Sequence, residues 1–274
     1  MPFIKAIVYS NFWIALCAGL CAWQTYWLSD LSPDWRIIGI LFFATWARYN
    51  IICFTMPTVV TAEKFRFMKA NSHWLKTTFF CSIFICLALF FTLDWATILF
   101  LGHLGFITFW YLFPLPLGFK KLPPLRRTPF LKIFLIAYVW SSGVYLLPLL
   151  HEAWSWNTLI GFLERLLFLF AITLPFDMKD LEEDTKMQLK TIPSQIGVQK
   201  AKAISAICLL IGWAVSGWAY GSEQIWPLGF GYLTALLLTI GISPNRKEIY
   251  YLGGIDGTMA AQWLGLLVWK TWIG

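Results

Sequence analysis

Nine apolar runs, most of them about as long as a bilayer is thick, constrain this chain more than any other feature of its sequence. Of its 274 residues 59% are hydrophobic and only 13% are charged, which excludes an ordinary water-soluble domain. We therefore predict an all-α integral membrane protein, a single domain over 1–274 with nine transmembrane helices. The predicted spans are 9–28, 37–60, 77–93, 95–117, 131–150, 157–175, 203–220, 224–242 and 248–270, with Pro175 marking the end of the sixth.

Positive charge indicates which loops face the cytoplasm. With the N-terminus inside, 17 of the 21 Lys and Arg residues fall in inner segments, and only Arg36 and Lys270 fall in outer ones. Cytoplasmic loops carry such an excess of basic residues. The sequence thus predicts a protein of the cell inner membrane with a cytoplasmic N-terminus and an outer C-terminus. Orientation signals and phosphate ligands account for the net charge of +7, so membrane lipids are expected partners and nucleic acid is not.

An acidic stretch lies between the sixth and seventh spans. Asp177, Asp180 and Asp184 are spaced i, i+3 and i+7, which places them on one face if the segment is helical. Oxygen ligands at a membrane surface suit Mg²⁺, which combines one or two carboxylates with waters and phosphate oxygens. A solvated acidic loop, with Lys179 and Lys186 as ion-pair partners, explains the spacing equally well.

The order of the spans suggests an internal duplication. Helices 1–4 and helices 5–8 form two similar units, and a ninth helix follows them. Under this scheme the long inner loops 2–3 and 6–7 correspond to each other, and so do the basic loops 4–5 and 8–9. Binding groups are therefore expected on the cytoplasmic face.

The acidic stretch also resembles a known motif. Asp-x-x-Asp-x-x-x-Asp between helices six and seven, followed by Lys-Thr and then Ile-Gly, is similar to the second aspartate-rich motif of the UbiA superfamily of intramembrane prenyltransferases. The nine-span layout, the inner N-terminus and the basic loop 4–5 after Tyr111 resemble that family along nearly the whole chain. The resemblance implies Mg²⁺-dependent transfer of a prenyl group from an isoprenyl diphosphate to a lipophilic, aromatic acceptor at the cytoplasmic side.

The same resemblance implies a set of site residues. The expected Mg²⁺ ligands are Asp177, Asp180 and Asp184. The expected diphosphate-binding residues are Asn50, Arg66, Lys120, Lys121, Arg126, Arg127, Lys186 and Lys190.

The chain departs from the family at the first aspartate-rich motif. Its best match begins at Asn50, but Ile51, Phe54 and Thr58 stand where the motif has aspartates. A two-metal clamp is hard to assemble without them, although one Mg²⁺ aided by basic residues could hold a diphosphate. Glu63 is a candidate replacement. A catalytically degenerate protein that binds a lipid diphosphate or a partner without prenyl transfer is the alternative, and a transporter is a weaker one because its charges would lie at the midplane.

Other polar residues lie within the predicted spans. Arg48 should face the bundle interior because an exposed Arg costs several kcal/mol in a bilayer. It could pair with Asp256, or Asp256 could reach the polar site as a further ligand; with Tyr111 these residues form a possible further polar site. Glu164 and Arg165 are predicted to snorkel from the outer half of helix six.

Overall fold

The structure, a computed structural model, describes residues 2–54, 62–117, 120–243 and 246–272. In chain order its α-helices are α1 Pro2–Tyr9, α2 Phe12–Leu28, α3 Trp35–Asn50, α4 Glu63–Ala70, α5 Ser72–Phe90, α6 Trp95–Leu112, α7 Leu131–Ser141, α8 Trp156–Lys179, α9 Leu181–Lys186, α10 Ile192–Ile196, α11 Val198–Tyr220, α12 Ile225–Ile240 and α13 Gly257–Trp272. Short π-helical turns extend α7 over Ser142–Leu146 and precede α13 over Tyr250–Ile255. Strands β1 Leu115–Leu117 and β2 Lys120–Leu122 form a small antiparallel hairpin in the basic loop.

The prediction of an all-α membrane-type chain is confirmed, whereas the count of nine spans is not. In the described part of the chain, five helices are long and apolar enough to cross a membrane, namely α3 with its 3₁₀ extension, α5, α6, α8 and α11. A sixth span results if α1 and α2, which meet at an angle of 69°, are taken together. The apolar helices in the predicted spans 131–150, 224–242 and 248–270 are shorter.

Helix α8 is the centre of the bundle. Its N-terminus has a capping box, in which Ser155 and Thr158 each satisfy a backbone N–H of the other. The helix packs against α7 and α11, and α12 in turn packs between α11 and α13. Finally α13 packs against α2, which closes the bundle between its first and last long helices. Most of α8 is buried, whereas α5 and α6 present most of their apolar side chains outward.

The sixth span does not end at Pro175. A proline inside a helix removes the N–H that would bond to the carbonyl four residues earlier, here Ala171. Ser205 of α11 donates its hydroxyl to this carbonyl at 2.7 Å. Because the lost hydrogen bond is replaced, α8 continues through Pro175 to Lys179 and carries Asp177 within its last turn.

Asn50, the last residue of α3, has a structural role: its side chain bonds to the junction between α1 and α2. Asn11, at the kink, adopts a left-handed conformation with φ 61° and donates its amide to the Asn50 side-chain oxygen at 2.9 Å. Asn50 in turn donates to the Ser10 carbonyl at 3.3 Å. The amide of Asn50 is fully buried and satisfied by the kink.

Glu164 and Arg165 do not snorkel, since both side chains are fully buried. Glu164 accepts hydrogen bonds from the Tyr220 and Tyr232 hydroxyls, the former at 2.9 Å. Arg165 donates to Gln262 at 2.8 Å, and its Nε lies 3.7 Å from Glu164. Apolar neighbours of α8 left these charges no route to the surface, so they pair inside. We call this group the buried polar layer; it comprises Gln24, Glu164, Arg165, Tyr220, Tyr232 and Gln262.

Candidate functional site

A cavity of about 940 Å³ opens where α8 ends, between α4, α9 and the segment before α13. Its deeper part, which we call the shaft, is apolar and is lined by Ile14, Ile136, Trp140, Leu169, Ile172 and Met259. The charged residues of the lining form what we call the mouth of the cavity. Seven carboxylates contribute, from Glu63, Asp177, Asp180, Glu182, Glu183, Glu248 and Asp256. Five cations accompany them, from Lys64, Lys132, Lys179, Arg246 and Lys247.

Lys132 joins two of the three predicted metal ligands. Its ammonium lies 2.8 Å from Asp177 Oδ1 and 3.2 Å from Asp184 Oδ2. Both carboxylates are buried, and α7 supplies the lysine from its first turn. Asp177 Oδ2 is also buried and has no hydrogen-bond partner. Since a buried unpaired carboxylate oxygen is costly, this atom is a position where a ligand cation would be favoured.

Asp180 has a different cationic partner from the other two aspartates. It forms the junction between α8 and α9, so the predicted single helical face is interrupted there. Its carboxylate lies 3.6 Å from Lys179, which also approaches Glu248 at 4.0 Å. Burial raises the pKa of Asp180 above its ordinary value despite the attraction of Lys179. The positive charge of Lys179 therefore does not fully offset the burial of the Asp180 carboxylate.

The opposite rim is formed by the start of α4. Glu63 pairs with Lys5 and accepts a hydrogen bond from the Tyr9 hydroxyl at 3.0 Å, which ties α4 to α1. These hydrogen bonds, that of Lys5 foremost, hold the pKa of Glu63 below its usual value. Lys64 is half-buried, and within the described residues its ammonium has no carboxylate at ion-pair distance. Burial lowers the pKa of Lys64 to about 8.

The cavity gathers only some of the predicted site residues. It brings together Asp177, Asp180 and Asp256, and Asp184 joins them through Lys132. Asn50 and Tyr111 are not part of its lining. The remaining cations predicted to bind diphosphate are exposed and do not line it: Arg66, Lys121, Arg126, Arg127, Lys186 and Lys190. The side chain of Lys120 and residue Thr58 lie outside the described part of the chain.

Arg48 and Asp256 do not form the predicted pair. Arg48 instead stacks near the Tyr49 ring, with its guanidinium carbon 6.0 Å from the ring centre. Asp256 faces the cavity, where the positive charges that act on it are Lys64 and Lys179. Of the two alternatives for Asp256, the structure favours a place in the polar site.

Solved structures with the same arrangement of helices identify the fold. A UbiA homologue from Aeropyrum pernix K1 superposes with a TM-score of 0.56 at 15% identity, covering 93% of this chain and 97% of its own. A UbiA homologue from Archaeoglobus fulgidus, bound to DMAPP and Mg²⁺, gives 0.54 at 12% identity and covers 98% of each chain. The chain has the UbiA fold. A digeranylgeranylglyceryl phosphate synthase gives 0.54 at 13% identity over 96% of this chain and 98% of that one. No family model and no curated protein matches the sequence.

Within this UbiA fold, the cations of the mouth differ from those predicted. Lys64, Lys132 and Lys179 replace the more distant basic residues of loop 4–5. Lys132 is the last cation of that basic loop, so its place at the start of a span was the available signal. No sequence signal pointed to Lys64, because its approach to the cavity depends on how α4 docks against α1.

The residues present fit one Mg²⁺ but not two. Among the described residues no three His, Cys, Asp or Glu side chains converge as a metal site. One Mg²⁺ needs only one or two carboxylates, with water and phosphate completing its octahedron. The unpaired oxygen of Asp177 and the carboxylate of Asp180 can supply these. Asp184 is already neutralised by Lys132, so a second divalent ion has no ligand set there.

Proposed function

We propose that this protein transfers a prenyl group from an isoprenyl diphosphate to a lipophilic, aromatic acceptor at the cytoplasmic face of the cell inner membrane. The observation that carries the proposal is the form of the cavity: a charged mouth with an unpaired buried oxygen on Asp177 opens into an apolar shaft. Such a cavity fits an amphiphile with an anionic head and an apolar tail. The orientation is supported by the excess of Lys and Arg on the segments around the mouth.

The mouth holds the diphosphate by charge. Lys64 and Lys132 would contact its oxygens, and Asp177 with Asp180 would hold one Mg²⁺ against them. The bound Mg²⁺ would act as a Lewis acid that stabilises the negative charge of the departing pyrophosphate. Seven carboxylates face five cations in the mouth, so a diphosphate needs such added positive charge to enter.

The apolar residues of the shaft exclude water from the reacting carbon. When the allylic C–O bond breaks, both electrons leave with pyrophosphate, and the acceptor ring supplies the pair that forms the new C–C bond. Tyr49, Trp140 and Phe176 line the cavity and can face the transient allylic cation with their rings. The ring proton then leaves to a base, and the Asp256 carboxylate, which lines the same cavity, would accept it.

The test uses purified protein with Mg²⁺, a lipid extract as acceptor source and labelled geranyl, farnesyl or geranylgeranyl diphosphate. We expect bound label, released pyrophosphate and a labelled lipid product. Asp180→Asn should abolish all product, while Asp30→Asn, an exposed aspartate beside Lys270, should leave product formation unchanged. Binding without product would support the non-catalytic alternative, and absence of both binding and product for every donor would refute the proposal.

A further inference from the structure

The buried polar layer lies directly beneath the apolar shaft. Leu169 is the deepest cavity-lining residue of α8 in the described chain, and Arg165 is one turn further along the same helical face. On α13 the lining reaches Met259, and Gln262 follows three residues later on that face. The helices that line the shaft therefore lead into the charged layer.

The layer is a built feature of the bundle. Gly161 faces Tyr145, and a Cβ there would lie 1.9 Å from the Tyr145 hydroxyl. At Gly231 a Cβ would lie 2.1 Å from Gln262 Cγ. The missing side chains make room for polar ones at the level of Arg165. Two guanidinium nitrogens of Arg165, Nε and Nη2, have no hydrogen-bond acceptor, so this layer is unfavourable for any further apolar guest.

The walls around the layer are tied together. Thr25 of α2 donates to the Val144 carbonyl at 2.7 Å. Nearer the mouth, Trp13 donates to the Gly253 carbonyl at 3.1 Å across the seam between α2 and the turn before α13. A tail longer than the shaft would have to break these contacts or enter the charged layer.

We infer that the buried polar layer is the floor of the prenyl cavity and limits the donor to geranyl or farnesyl length; this inference rests on the proposed function. Asp177 and Leu169 are eight residues apart on α8, which gives a depth of about 12 Å. An extended chain advances about 1.2 Å per bond, so each isoprene repeat adds about 5 Å. Two repeats fit within this depth, and three, about 15 Å, end between Leu169 and the floor. Four repeats, about 20 Å, extend past Arg165, which lies about 6 Å further down.

The test measures donor affinity in nanodiscs with Mg²⁺, using unreactive thiolodiphosphate analogues of dimethylallyl, geranyl, farnesyl and geranylgeranyl chains. Affinity should rise from dimethylallyl to farnesyl because each added repeat buries apolar surface. For geranylgeranyl it should fall at least tenfold below farnesyl. Equal or tighter binding of geranylgeranyl would overturn the inference and leave the proposed function intact, whereas no binding of any analogue would overturn both.

Matched variants locate the floor. Leu169→Trp fills the shaft one turn above Arg165 and should weaken farnesyl binding at least tenfold while geranyl binding stays within threefold. Leu169→Phe serves the same purpose if the larger ring prevents folding. Leu163→Trp, on the outward face of the same helix, should change neither affinity. If Leu169→Trp weakens geranyl and farnesyl equally, or weakens neither, the floor does not lie at Arg165 and the inference is wrong.

Discussion

Replacing Lys132 by Met measures how much the stability of the mouth depends on the positive charge of this lysine. Met keeps a chain of similar length and removes the charge that serves Asp177 and Asp184. The side chains of these aspartates are only 3% and 7% exposed, so both would remain as buried carboxylates without a counter-ion. Removing one partner of a buried ion pair costs about 3–5 kcal/mol. Since the cavity admits water, we expect the lower end, about 3 kcal/mol.

Thermal unfolding in detergent measures this loss. For a chain of this length about 3 kcal/mol corresponds to a decrease in Tm of about 6–12 °C. The vacated place between the two carboxylates should then accept a divalent ion, and Mg²⁺ at a hundred times its Kd would restore about 2.7 kcal/mol. Mg²⁺ should stabilise the wild-type protein less, because Lys132 occupies the place between the two carboxylates.

A matched lysine on α9 provides the control. Lys186→Met removes the same charge from an exposed position and should change stability by less than about 0.5 kcal/mol. If Lys132→Met loses no more than Lys186→Met, or if Mg²⁺ stabilises the Lys132 variant no more than the wild type, the argument from buried charge is refuted.

Three further predictions follow from the same physical reasoning. Glu164→Ala leaves Arg165 buried without its counter-ion and should cost about 3–5 kcal/mol in thermal unfolding, while changing both residues to Leu should recover most of the loss. Because burial lowers the pKa of Lys64 to about 8 and a bound anion would raise it, the ratio of wild-type to Lys64→Arg pyrophosphate affinity should be constant below that pH and fall above it; the ratio cancels the titration of pyrophosphate itself, and parallel titrations between about pH 7 and pH 10 measure it. Gly231→Ala places a Cβ 2.8 Å from a backbone nitrogen of α13 and should lower Tm, whereas Gly102→Ala, which meets nothing within 4 Å, should not.

Hydropathy and motif spacing were sufficient to predict the membrane class and the UbiA fold. Both signals are local: an apolar run reports its own environment, and Asp177 and Asp180 are three residues apart at the C-terminal end of α8. The UbiA resemblance, drawn from these residues, is confirmed by the fold of the solved homologues. The Mg²⁺ and diphosphate ligands themselves stay predictions.

Long-range contacts were beyond the sequence. Lys132 finds its aspartates because α7 packs beside α8, a tertiary contact that charge spacing along the chain does not encode. Asn50 matches the family motif, yet its amide is engaged by Asn11 at the kink of the first helices. The snorkelling prediction for Arg165 was wrong because it considered one helix alone, whereas the surrounding helices bury that side chain completely.

The hydroxyl of Ser205 links the cavity end of α8 mechanically to α11. The turn of α8 from Ala171 to Pro175 lacks one internal hydrogen bond, and the Ser205 contact to the Ala171 carbonyl compensates for it. An unsatisfied buried carbonyl costs about 1–3 kcal/mol, so a tilt of this turn that broke the contact would be resisted by that amount. Any rearrangement of Asp177 on ligand entry should therefore displace α11 as well, and the two helices should respond to the ligand as one rigid unit.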